Sequence, residues 1–96
     1  MGEQLFEYKG VVLTTPGNRT TEDFKRQHPY YDLHFGDPLQ EARNWAERGN
    51  PLMVLTKLRS VWAVSDGWGL DVGALSQQLL SDADKNSPLT RSLNSR

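Results

Sequence analysis

A chain of 96 residues has room for one small domain and one core, which excludes a separate catalytic or regulatory unit. Eleven Lys and Arg stand against twelve Asp and Glu, so the overall positive potential of a typical duplex-binding domain is absent. The lack of Cys excludes a disulfide scaffold and any thiolate metal site, and fits a reducing compartment, as for a bacterial or phage-encoded cytosolic protein.

Met1-Gly2-Glu3-Gln4 has no basic n-region or apolar h-region, Phe6 stands where a myristoylation signal needs Ser or Thr, and no apolar run approaches 18 residues. The expectation is a cytoplasmic protein that is neither exported nor membrane-spanning. Leu5 to Leu13 alternates imperfectly, with Phe6, Tyr8 and Val12 on one face, and predicts a first strand in which Gly10 marks a bulge or a close backbone approach. Pro16-Gly17-Asn18 ends it as a turn. Thr20 or Thr21 caps a short helix with Glu22 and Asp23 in its first turn, anchored by Phe24 and stopped by Pro29. Tyr31, Leu33 and Phe35 alternate with Asp32 and His34, which predicts a half-buried strand ended by Gly36.

Asp37-Pro38 predicts a helix start, with an N-cap carboxylate, Pro at the first position and Gln40 completing a capping box; Gly49 and Pro51 close the helix. Its apolar stripe is Leu39, Ala42, Trp45 and Ala46. Leu52 to Val64 reads as one long or bulged strand, with Lys57 and Arg59 in the middle of its second face. The alternative is a hairpin turning near Lys57 to Ser60, although no Gly, Asn or Pro marks a turn there. A last helix runs from Asp71 to Leu80, capped by Asp71, with Leu70 and Leu75 at staple spacing and Val72, Leu75 and Leu79 buried. Residues 81–96 turn polar and predict a flexible C-terminal tail beyond a single domain of residues 1–80.

The expected fold is therefore α+β: a three- to four-stranded mixed or antiparallel sheet, two amphipathic helices on one face and one short extra helix. The strand at Leu5–Leu13 or at Tyr30–Phe35 would lie at an edge, a route to homodimerisation by strand pairing.

Chemistry is thinly signalled. Gly67, Gly69 and Gly73 resemble a phosphate loop only superficially, because Asp66 and Asp71 would repel a phosphate; tight-turn dihedrals and close helix packing explain them. Asp32 and His34 would share a strand face, which allows a small enzyme or metal site with His28 as the remote reading. Against it, His28 sits at a helix end where a cation is stabilised by the helix dipole, and His34 falls on a polar face. Ser60, Ser65 and Ser76 lack a nucleophile elbow. Lys57, Arg59 and Arg43, with nearby aromatics, supply the vocabulary of nucleic-acid binding on a basic sheet face, although two basic residues on a strand are also ordinary edge protection. Trp68, between two glycines, either folds back over the core or anchors a partner, and Tyr30 and Tyr31 could extend it into an aromatic patch. The leading expectation is a non-enzymatic protein-binding module, an adaptor or inhibitor without cofactor or metal, that occupies the surface of another protein; a nucleic-acid-associated accessory protein is the alternative.

Overall fold

Lys9-Gly10, read from sequence as a point on a continuous strand, is a two-residue turn in the computed structural model, which describes residues 2–88. Both residues have positive φ, 49° and 85°, the pair of left-handed conformations that matches the twist of a tight hairpin. The expected strand is thus two antiparallel ones, β1 (Gln4–Tyr8) and β2 (Val11–Thr14), with a bulge at Leu5. The turn also shifts the side-chain parity. Phe6, Tyr8 and Leu13 enter the core, whereas Val12, expected beside Phe6, is half exposed.

This hairpin is the only sheet among the described residues, and four α-helices make up most of the rest, so the expected three- to four-stranded sheet does not form. The decisive correction lies at residues 52–64, which belong to α3 (Pro51–Trp68). Asn50 caps this helix, its Oδ1 accepting from the Met53 amide at 3.1 Å, and Pro51 takes the first position, where its missing N–H costs nothing. Val54, Leu58, Val61 and Ser65 recur at helical spacing and are buried. Fully burying a Val or Leu side chain contributes about 1.5–3 kcal/mol, which overrides the strand preference of the valines.

The expected strand at Tyr30–Phe35 is likewise helical. A π-helical turn (Asp32–Gly36) runs without a break into α2 (Asp37–Arg48), so Asp37 is an interior residue and not a cap. Its amide donates to Asp32 O, five residues back. Pro38 cannot donate to the His34 carbonyl four residues before it, and Ser60 Oγ of α3 fills that vacancy at 2.9 Å. Gly36, expected as a strand stop, serves close approach: a Cβ there would lie 3.2 Å from the Tyr31 ring.

Other expectations hold. Thr20 caps α1 (Thr21–Gln27) through Oγ1 to the Asp23 amide, and Phe24 is its buried anchor. Leu39, Ala42 and Ala46 are fully buried on α2, with Trp45 half-buried beneath the Arg48 guanidinium at 5.2 Å. Gly49 ends α2 in the left-handed conformation, φ 77°, against the backbone of Asn86. That contact belongs to α4 (Gly73–Asn86), which begins later than expected and passes Leu80 by six residues, so the first part of the expected tail is helix. Asp71 does not cap it directly; its Oδ1 accepts from the Gly73 amide at 3.1 Å. Leu70, Val72, Leu75 and Leu79 are buried as expected, joined by Asp82 and Ala83. The rest of the expected tail, 89–96, lies outside the described residues. Helices α2, α3 and α4 pack on one another and the hairpin lies against α4.

Candidate functional site

Trp68 is the last residue of α3, and its indole closes an aromatic stack that joins three elements. His28 lies over it at 4.5 Å and 29°, Tyr31 at 6.2 Å and 18°, while Phe24 meets it edge-on at 6.0 Å and Phe35 is tilted against it at 5.6 Å. Four partners of this kind tie the end of α3 to α1 and to the π-helical turn, and each such pair is worth about 0.5–1.5 kcal/mol beyond area burial. Trp68 remains half-buried, one part in the stack and another lining a groove.

That groove, about 580 Å³, runs between the turn at residues 16–19 and the end of α3, and is lined by Pro16, Arg19, Gln27, His28, Gly67 and Trp68 among others. A second groove of about 540 Å³ shares Pro16, Gly17 and Gly69 with it and is lined further by β2, by Asp71, and by Ala74 and Leu75 of α4. Both are open on one side. Their shared wall is held firmly: Thr15 Oγ1 donates to Arg19 O at 2.7 Å and accepts from the Glu3 amide at 2.8 Å, while Glu3 Oε1 accepts from the Thr21 amide at 2.6 Å.

Beneath the groove, burial pushes the His28 imidazole below its ordinary pKa, with the Arg19 charge acting in the same direction. The dipole-stabilised cation expected at this helix end is therefore disfavoured. Its Nε2 is buried and has no hydrogen-bond partner. Tyr31, 5% exposed, is a core residue whose hydroxyl is pushed up to about 12 by burial and by the charge of Asp32. Tyr30, 63% exposed, lies outside the stack with its ring 5.8 Å from His34. The structure thus brings Trp68 and Tyr31 together but not as one exposed patch with Tyr30.

The basic sheet face does not exist. Lys57 and Arg59 are on α3, where residues two apart point to nearly opposite sides. Lys57 pairs with Glu41 at 2.6 Å, and Arg43 bonds Gln40 at 2.5 Å with its guanidinium 5.7 Å over Phe6. Nor is there a shared strand face for Asp32 and His34, which lie in the π-helical turn, exposed, while His28 belongs to the aromatic stack. No group of three His, Cys, Asp or Glu that could hold a metal is assembled among the described residues.

Sequence reasoning missed Asp82 entirely. Its buried carboxylate accepts from Tyr8 Oη at 2.7 Å and Gln78 Nε2 at 3.1 Å and meets Lys9 Nζ at 2.7 Å, which latches the hairpin to α4. Burial opposes its ionisation, but the Lys9 and Tyr8 hydrogen bonds and the Lys9 charge outweigh that and hold the carboxyl below the usual range. Tyr8 shifts upward for the matching reasons, burial first and then Asp82. The signal was the spacing Leu75, Leu79, Ala83, which carries the helix past Leu80.

Among the described residues no helix is long and apolar enough to cross a membrane. No protein-family model, curated protein or solved structure matches this chain.

Proposed function

We propose that this chain is a non-enzymatic protein-binding module, an adaptor or inhibitor that acts by occupying a partner's surface, and that the partner seats in the joined grooves around Trp68. The observation that supports this most is their shape: two open grooves meet at Pro16, Gly17 and Gly69 over a floor already fixed by the aromatic stack and the Thr15 hydrogen bonds. Binding there orders little, because the walls are set before the partner arrives, and a half-buried indole is a frequent anchor of interface energy. A Cys-free composition suits work in the cytoplasm.

Gly67 provides a test that leaves the stack alone. It is a helical residue lining the groove, and a Cβ there meets nothing within 4 Å. Tagged wild-type and Gly67→Glu proteins of equal helicity by circular dichroism are used to capture proteins from nuclease-treated lysate of the native host, and any captured protein is purified and titrated against both. Binding to the wild type, weakened at least tenfold by Gly67→Glu, supports the reading. No captured protein, or one bound equally by both forms, overturns it.

A further inference from the structure

The hairpin's hydrogen-bond register exposes something the grooves alone do not. In a two-residue turn the closing pair, here Tyr8 and Val11, is hydrogen-bonded, so the next pair, Glu7 and Val12, is not. Beyond the bulge, Gln4 and Thr14 form another such pair, consistent with the bond that follows it, from the Thr15 amide to Glu3 O at 2.8 Å. The N–H and C=O groups of Val12 and Thr14 therefore face away from β1. No described strand pairs with that side of β2. Along it runs the 540 Å³ groove, walled by the consecutive residues Val11 to Gly17 on one side and by Ala74 and Leu75 of α4 on the other.

We infer that this edge receives an extended segment of the partner polypeptide, which adds to the hairpin as a third strand antiparallel to β2, with alternate side chains entering the groove against Val11, Ala74 and Leu75. The inference rests on the protein-binding reading and gives its occupant a chemistry. Two residues of free edge offer two donors and two acceptors in strand register, a pattern that an extended backbone matches and a helix cannot. Charge adds a preference. The exposed carboxylate of Asp71 also lines the groove, so a basic residue in the incoming strand is favoured and an acidic one repelled.

The test uses a fluorescein-labelled hexapeptide, Lys-Val-Thr-Val-Thr-Ser with blocked ends, and reads anisotropy with the full chain. Val12→Pro removes an outward donor without touching a bond between β1 and β2, an exchange tolerated on a free edge; Val12→Thr keeps the donor. Expected are saturable binding to the wild type and to Val12→Thr, at least tenfold weaker binding to Val12→Pro, and weaker binding of a peptide in which Glu replaces Lys. Equal binding by Val12→Pro of unchanged circular dichroism overturns the inference, as does no peptide binding by any form. Self-association of the chain through β2 without peptide binding, read by sedimentation, also overturns it. If a partner protein is lost from Gly67→Glu but kept by Val12→Pro, the strand inference fails while the protein-binding reading stands.

Discussion

Removing the Asp82 carboxylate tests how the hairpin is held to the helices. Asp82 is 5% exposed and accepts from the buried Tyr8 hydroxyl at 2.7 Å, and its second strong partner, Lys9, is 58% exposed. In Asp82→Ala the Tyr8 hydroxyl is left buried without a partner, which costs about 1–3 kcal/mol. The Lys9 ammonium turns to water, and a half-exposed pair of that kind is screened and contributes about 0–1 kcal/mol. The sum is about 1–4 kcal/mol, or roughly 5–30 °C in Tm for a domain of this size. Tyr8→Phe removes the donor but leaves Asp82 paired with Lys9 and Gln78, so about 1–2 kcal/mol is expected. In the double variant both ends of the bond are gone and no polar atom is orphaned, hence its cost falls below the sum of the two by about 1.5–3 kcal/mol, the value of a hydrogen bond to a charged group. Urea unfolding at pH 7, followed by far-UV circular dichroism, measures all four corners of the cycle. A coupling under about 0.5 kcal/mol would mean that the latch is a surface contact and that apolar packing alone seats the hairpin.

Two further outcomes follow from the same geometry. Gly49→Ala combines a left-handed backbone with a Cβ only 2.1 Å from Asn86 O, so it should destabilise by more than about 2 kcal/mol in urea, whereas Gly67→Ala, helical and unobstructed, should be neutral or stabilising by up to about 1 kcal/mol; equal effects would contradict the placement of α4 against the α2–α3 turn. On acidification, His28 and Asp82 act in sequence: each has a lowered pKa in the folded state, so the unfolded chain binds more protons and stability rises with pH through each window. The His28 contribution is complete above about pH 6.5 and lost as pH falls through its folded value, and that of Asp82 is lost only below about pH 4. Urea midpoints between pH 8 and 3 should show two declines, the first absent in His28→Phe; a flat profile between pH 7 and 5 would contradict the half-buried imidazole with its buried Nε2.

Local signals were sufficient where one chemical group decides one backbone feature. Thr20 as a cap, the left-handed Gly49, the stripe of Leu39, Ala42 and Ala46, and the buried Leu75 and Leu79 were all legible, because capping, backbone dihedrals and helical spacing act within a few residues. Residues 52–64 were not, because a run apolar on nearly every side satisfies period 2 and period 3.6 alike. The order Asn50-Pro51 and a length beyond ordinary strands favour a helix, but Pro51 serves equally well as the stop of the element before it. The candidate site was legible in one residue, Trp68. How far that indole is buried depended on Phe24, His28, Tyr31 and Phe35, which α1 and the π-helical turn deliver to it.

By itself, then, the sequence determined the Thr20 cap, the break at Gly49, the apolar faces of α2 and α4, and a composition without net positive charge. Only the tertiary structure decided that Tyr31 and Phe35 continue a helix, that Asp82 lies 2.7 Å from a tyrosine 74 residues away, and that the groove lined by Trp68 continues into one along β2. Short-range chemistry selects backbone conformations, but which apolar face meets which is settled by burial, a property of the whole chain that no window of sequence contains.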